Sequence, residues 1–560
     1  MRLDFDTAAA PDRPEADVCV VGAGAAGIAL ALELEDSGLS VLLLESGGTA
    51  PDPALADLDG CEIDGLAFPG ARAGRARVFG GATTLWAGQA LPLDPIDFER
   101  RPWVPHSGWP IPHGEVARHY ARAERYLGLT GQLYNGAGWT HLGLVPPALD
   151  PGLLWPQMSW LAKRRDFNAA FRRRVEASRT IRLLVRATAA AIREPAGPGD
   201  PYRVEILSPR GRRGTVAARF VVVACGGIES ARLLLASDRP DRPSLGNERD
   251  LVGRFLMDHP TARCAEILSP DFDRLAHLFR PVYRRRGRLF PKVALAPPAQ
   301  MAREVLNATA ELVFVPPDGS VFASVRDFYA ALREGRGDAI LPQGRAMLRH
   351  APDLARIAFH RLVRRRLPAA RGSRIFVWAH VEQAPDPESR ITLSDARDAL
   401  GQRRARIGWR LGERDRRTFE VFAETVGAEF RRLGLGTAMP APWLREAGWR
   451  AEVADFYHHI GTLRMADDPR DGVVDRDLRV FGQRGLYVAS SAVFPTGGAS
   501  NPTLTILALA IRLADRLKRL AAATPDAILR PAPADPSPAR AGGEGAFAET
   551  ILRSLSHGGG

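Results

Sequence analysis

Lysine is almost missing from this chain. Only Lys163, Lys292 and Lys518 occur in 560 residues, so arginine carries nearly all of a formal net charge of +12. Such a balance raises nucleic acid or an anionic membrane as partners. Arginine used this uniformly is what a GC-rich genome produces without selection for binding, so the basic clusters at 284–288 and 364–366 read as solvated faces. Nucleic acid is not expected as a partner.

Cysteine is equally scarce. Cys19, Cys61, Cys225 and Cys264 form no C-x-x-C pair and read as reduced core residues, which fits a reducing compartment or a fold that needs no disulfides. Long uncharged runs are missing too, and none approaches the ~18 residues that span a bilayer. The first residues, MRLDFDTAAAPDRPEAD, carry acids where a signal peptide would carry positive charge. A cytoplasmic protein is the expectation, too long for one compact core.

What is present begins with residues 17–46, DVCVVGAGAAGIALALELEDSGLSVLLLES. An apolar run leads into Gly22-x-Gly24-x-x-Gly27, then a helical stretch, a breaker at Gly38 and a second apolar run closed by Glu45. Gly22 lets the strand turn sharply, Gly24 lets backbone approach a pyrophosphate, and Gly27 lets helix and strand pack closely. The helix N-terminus offers free N–H groups to the phosphates, and a carboxylate about 20 residues on accepts from ribose hydroxyls. This pattern predicts dinucleotide binding, without separating FAD from NAD.

Further strand-to-turn units stand at 219–237 and 485–496, with irregular sequence at 267–449 between them. That spacing predicts a nucleotide-binding unit assembled from distant segments, with a substrate-binding unit inserted. We divide the chain into an N-terminal tail (1–15), a first nucleotide-binding part (16–266) with a lid-like segment at about 116–170, a substrate-binding domain (267–449), a last nucleotide-binding part (450–523) and a disordered tail (524–560). The Pro-, Ala- and Gly-rich composition of the last stretch supports that reading.

Near the end, SNPTLTILALAIRLADRLKRL predicts a buried helix, with Asn501 as N-cap and Pro502 in its first turn. Just upstream, YHHIGTLRM (457–465) pairs two histidines in a chain that has 12. They can be metal ligands, core residues or a proton acceptor. Adjacent histidines lack the spacing that gathers ligands around one ion, so no metal is expected.

Six blocks in order carry a resemblance: DVCVVGAGAAG with Glu45, RVFGGATTLWAG (77–88), VVVACGGIESARLLL, VGRFLMDHP (252–260), HHIGTLRM and GLYVASSAVFPTGGASNPTLTILALA. Together the sequence resembles the glucose-methanol-choline (GMC) family of flavin oxidoreductases across nearly all of 17–520. The resemblance implies an α/β fold, α+β overall: a Rossmann-like FAD-binding domain built from discontinuous segments, with a substrate domain on an antiparallel sheet flanked by helices. It implies oxidation of a CH–OH group by hydride transfer to the flavin. The family's active-site histidine falls on His458 as general base and its second active-site residue on Asn501. If the segment is extended, only one of His458 and His459 faces the flavin.

By the same resemblance, Gly80 and Gly81 let backbone lie against the isoalloxazine, Thr83 and Thr84 are placed to bond it, and Ala189 falls at a backbone contact to adenine. Trp86 reads equally as core packing, and His259 as structural support. Thr84-Leu85-Trp86 replaces the T-H-W block whose histidine bonds FAD covalently in the pyranose-oxidase branch, so FAD is expected to be non-covalent. Ser490 stands where glucose-oxidase-like members carry Asp. With Asn501-Pro502-Thr503, these features lean toward the pyranose-oxidase and sugar-dehydrogenase branch, hence a sugar, glycoside or polyol substrate. The acceptor stays open among oxygen, a quinone and a redox protein. The alternatives are oxidation of a non-sugar alcohol, a lyase that keeps FAD as a structural element, and a membrane-surface protein, whose support is the arginine-rich stretch 346–366.

Overall fold

The computed structural model describes residues 1–523 except 142, 198, 285–286, 319, 334–336, 338–341, 343, 345–350, 364–368 and 371. The stretch 524–560, read as a disordered tail, lies outside the described residues. So do the cluster at 364–366, the middle of the cluster at 284–288 and both ends of the arginine-rich stretch, which is helical over Ala351–Leu362.

The first sheet has eight strands. Arg2–Asp4, Ile181–Val185, Val41–Leu44, Glu15–Val21 and Arg213–Val223 run parallel in that order, with Leu486–Val488 parallel to the end of the last. Tyr202–Leu207 and Thr188–Arg193 close it antiparallel. Val41–Leu44 is buried along its whole length, as a parallel strand covered on both faces must be. Helix Ala25–Leu34 covers the sheet and packs against the late helix Thr503–Ala522, which packs in turn on helix His113–Tyr126. Segments within 2–44 and 486–522 thus share one sheet and its covering helices.

The second sheet, also of eight strands, is antiparallel throughout. Its order is Thr437–Pro440, Thr261–Leu268, Arg374–Val381, Ala308–Val315, Gly287–Leu295, Leu154–Leu161 and Gln89–Ala90, with Val282–Arg284 beside Gly287–Leu295. Helix Glu413–Arg432 packs on it. A third sheet joins Arg390–Arg397, Arg403–Gly408 and Cys61–Ile63.

The sheets do not follow the division drawn from the sequence. The stretch 1–15, read as a tail, supplies edge strand Arg2–Asp4, and the lid-like segment supplies Leu154–Leu161 to the antiparallel sheet. Pairing across distant segments decides membership, and hydropathy along the chain does not record it.

Candidate active site

Strand Glu15–Val21 ends at Gly22, whose φ of +105° is one that only glycine adopts without strain. A Cβ on Gly27 would lie 1.9 Å from the Gly22 carbonyl oxygen, so helix and strand touch backbone to backbone. A Cβ on Gly24 would meet nothing within 4 Å. Gly27 is therefore a packing glycine, and Gly24 faces open space.

That space is a cavity of about 1050 Å³. Three helix N-termini line it: Ala25–Leu34 through Gly24 and Ala25, Gly226–Leu235 through Gly226 and Gly227, and Thr503–Ala522 through Pro502 and Thr503. None has a side-chain cap hydrogen bond. Each leaves N–H groups and a positive dipole end toward the cavity, the electrostatics that a pyrophosphate or an anionic ring requires. Glu45 lines the cavity while accepting from Ala23 N–H at 3.2 Å and Gly47 N–H at 2.8 Å. Burial raises its pKa against the pull of those donors. Its oxygens keep lone pairs for two hydroxyls. Glycine turn, uncapped helices, carboxylate and volume all fit FAD.

The other predicted contacts divide. Gly81, Thr83, Ala189, Ser490, Asn501, Pro502 and Thr503 line the cavity with Gly22, Gly24 and Glu45, whereas Gly27, Gly80 and Thr84 do not. The hydroxyl of Thr83 donates to Gly80 O at 2.6 Å and accepts from Phe167 N–H, and that of Thr84 donates to Gly81 O at 2.9 Å. Both donors are spent inside their own turn. Ser490 Oγ accepts from Ala492 N–H at 3.2 Å. Leu85 lines the cavity and is 54% exposed.

Asn501 departs from its local sequence signal. The helix starts at Thr503 with Pro502 in the cap position, and the Asn501 amide makes no hydrogen bond among the described residues. The amide is left to the cavity.

Both histidines of the pair line the cavity, and their rings diverge. Tyr457, at φ +64°, breaks the extended path just before them. His458 packs edge-on against Phe456 and His259, while His459 packs on Phe68 at 5.4 Å. Burial, then the neighbouring His259, His380, His459 and Lys292, hold His458 well below the usual imidazole range. The His458 imidazole is therefore neutral at pH 7.

A family model described as GMC oxidoreductase matches residues 385–510, and one described as FAD dependent oxidoreductase matches 17–360. The chain belongs to the GMC family of FAD-dependent oxidoreductases. This GMC oxidoreductase is 24% identical to the 2-methyl-1,2-propanediol dehydrogenase of Mycolicibacterium austroafricanum, over 90% of this chain and 95% of that one. It is 26% identical to the paromamine 6'-oxidase of Streptomyces fradiae, over 89% and 90%. A C-glycoside 3-oxidase of Microbacterium trichothecenolyticum matches at 34% over only 26% of this chain and 27% of that one. Among solved structures, pyridoxine 4-oxidase from Mesorbium loti (19% identity, 89% of this chain and 98% of that one, TM-score 0.51) and a fungal aryl-alcohol oxidase (14%, 92% and 100%, TM-score 0.53) share the fold.

Residue patterns missed two groups at this GMC oxidoreductase's cavity, one in its wall and one behind it. Arg75, Arg77 and Arg232 grip Glu229 at 2.6, 3.1 and 2.8 Å, and Arg77 also pairs with Asp59 at 3.1 Å. These arginines hold the Glu229 carboxyl well below the usual range despite burial. Arg77 and Glu229 lie inside quoted motif blocks, a signal that was available. The second is Asp258, which stands behind the wall and accepts from the backbone N–H groups of His259, Phe456 and His458 at 2.6, 2.9 and 2.9 Å. Burial and the neighbouring Asp455 push Asp258 up to about 8. Asp258, Asp455 and His459 bring ligand-capable atoms within 4.8 Å of one another, as do Asp258, His259 and His458. In both groups the Asp258 oxygens already serve backbone donors.

Proposed function

We propose that this enzyme oxidises a CH–OH group of a sugar, glycoside or polyol, with FAD held non-covalently, His458 as general base and Asn501 as the residue that holds the substrate oxygen. The observation that carries the reading is the meeting of two groups in one cavity: neutral His458 and an Asn501 amide that does not cap its helix.

When bound, FAD supplies the two-electron acceptor for the C–H hydrogen, which leaves as hydride. The uncapped helix N-terminus at Gly24 would hold its phosphates, Glu45 its ribose hydroxyls, and the N-terminus of Thr503–Ala522 would face its ring. His458 takes the O–H proton, which converts the alcohol to a carbonyl compound as the C–H bond breaks. Asn501 orients the oxygen by hydrogen bonding, and a neutral amide does so without competing for the proton. Leu85, which has no nucleophilic atom, supports non-covalent attachment. The parallel-sheet unit is assigned to the cofactor and the antiparallel sheet, through Thr261, Arg263 and Trp378, to the substrate side. The proposed chemistry uses no metal.

Relatives named for a diol, an aminoglycoside and C-glycosides support the substrate class. The acceptor, whether oxygen, a quinone or a redox protein, is read from reoxidation rates of the reduced flavin. The four unpaired cysteines fit the cytoplasmic reading. Among the described residues no helix is long and apolar enough to cross a membrane.

Anaerobic mixing with a panel of sugars, glycosides and polyols tests the reaction class. We expect bleaching of the flavin band by at least one of them. Turnover with an unbleached flavin would overturn oxidation and point to a lyase.

A further inference from the structure

We infer that His259 is a positioning residue that fixes the tautomer of His458, leaving Nε2 of His458 as the unprotonated nitrogen. The inference rests on the reading of His458 as the base and specifies which atom acts.

Two bridges hold the segments together. Met257 pairs with Ile460 and Thr261 with Ala454, both antiparallel, and the Asp258 carboxylate gathers three backbone N–H groups between them. The rings of His259 and His458 consequently meet edge-on at 86°, with their Nδ1 atoms 2.8 Å apart. Two nitrogens at that distance share one hydrogen. The other nitrogen of His259, Nε2, lies 3.3 Å from the carbonyl oxygen of Gly497. A carbonyl only accepts, so His259 Nε2 carries a hydrogen.

A neutral imidazole has a single N–H. His259 is almost fully buried, and that burial holds it down at about 4, so it is neutral at pH 7. Its Nδ1 is then a bare acceptor, and the hydrogen between the rings belongs to Nδ1 of His458. Nε2 of His458 is left with a lone pair and has no hydrogen-bond partner among the described residues. His458 lines the cavity, so this is the nitrogen that takes the alcohol proton. Nδ1–H of His458 goes on donating to His259 afterwards, which stabilises the imidazolium as it forms. Gly497 sits four residues before Asn501, so the same chain of bonds ties the base to the loop that holds the substrate oxygen.

The nearby His380 has no such chain. Its Nδ1 bonds Thr261 Oγ1 at 3.0 Å and its Nε2 is unpartnered.

The test uses FAD-loaded enzyme labelled with 15N-histidine. In the wild type, His458 should show a protonated Nδ1 and a bare Nε2, and His458 protonated at Nε2 would overturn the inference without any variant. Two substitutions separate positioning from packing: in His259→Asn the amide oxygen can replace the Nδ1 acceptor, and in His259→Leu nothing can. We expect His259→Leu to move the His458 proton to Nε2 and slow flavin reduction about 10²-fold or more, with KM little changed. His259→Asn should keep both the tautomer and a rate within a few-fold of wild type. Wild-type flavin reduction in His259→Leu would reject the inference. If His458→Ala reduces its flavin at the wild-type rate, the base assignment fails, a result the tautomer measurement reports independently.

Discussion

Two stretches of the cavity wall are built in opposite ways. Residues 17–46 form theirs from consecutive chain: a strand, a glycine turn, an uncapped helix and a strand ending in Glu45, joined by local backbone bonds such as Ile28 N–H to Gly24 O. Residues 454–460 form theirs from contacts with a segment about 200 positions upstream, through Asp258 and His259, and His259 in turn reaches Gly497. The first presents backbone to the cavity, the second side chains with remote partners. A backbone-built wall depends on shape and tolerates no volume where it packs. A side-chain wall depends on which atom holds a hydrogen.

The contrast breaks most sharply at the histidines. His458→Ala should remain yellow and lose about 10²–10⁴-fold in the rate of anaerobic flavin reduction, while His459→Ala is far milder. Equal losses would mean that the two rings share the chemistry. In the wild type, a base held well below the usual imidazole range by burial, His259, His380, His459 and Lys292 is unprotonated across neutral pH. The reduction rate should therefore stay flat as pH falls to about 6.5 and decline only below it, when the base gains a proton. A decline already complete at pH 7 would contradict the lowered pKa.

The glycines give the next largest effect. Gly27→Ala drives a Cβ into the Gly22 carbonyl and should cost about 1–3 kcal/mol, seen as a lower urea midpoint together with poor FAD loading. Gly24→Ala meets no protein atom and should keep its midpoint within about 0.5 kcal/mol while binding FAD more weakly. Equal midpoints in the two variants would remove the distinction between a packing glycine and a ligand-facing one.

Asn501→Ala gives the smallest effect. Flavin reduction should slow about tenfold, the worth of one hydrogen bond of roughly 1.4 kcal/mol to the substrate oxygen. Thermal stability should not change, because the amide caps nothing. A fall in Tm with an unchanged rate would return Asn501 to the role of helix cap.

Much of the first stretch was legible in sequence. Strand, turn, helix and acid stand where the glycine spacing put them, since a φ of +105° at Gly22 and a backbone contact at Gly27 need no distant partner. The second stretch was legible only as residue types. Asn501 followed by Pro502 reads as a cap, yet the helix begins one turn position later and frees the amide. Thr83 and Thr84 offered hydroxyls to a ring, and the tight turn at Gly80 and Gly81 takes both as donors. Sheet membership was the least legible property, because Arg2–Asp4 and Leu154–Leu161 belong to their sheets through partners far away in sequence.

The sequence by itself determined the dinucleotide turn, the acid that follows it and the presence of two histidines before a glycine. These are local patterns, fixed by steric rules that act over a few residues. Only the tertiary structure decided that the His458 ring meets His259, that Asp258 holds both backbones, and that a carbonyl at Gly497 orders the hydrogens between them. The direction of a hydrogen bond belongs to the pair of atoms that share it, and here the pair lies 199 residues apart.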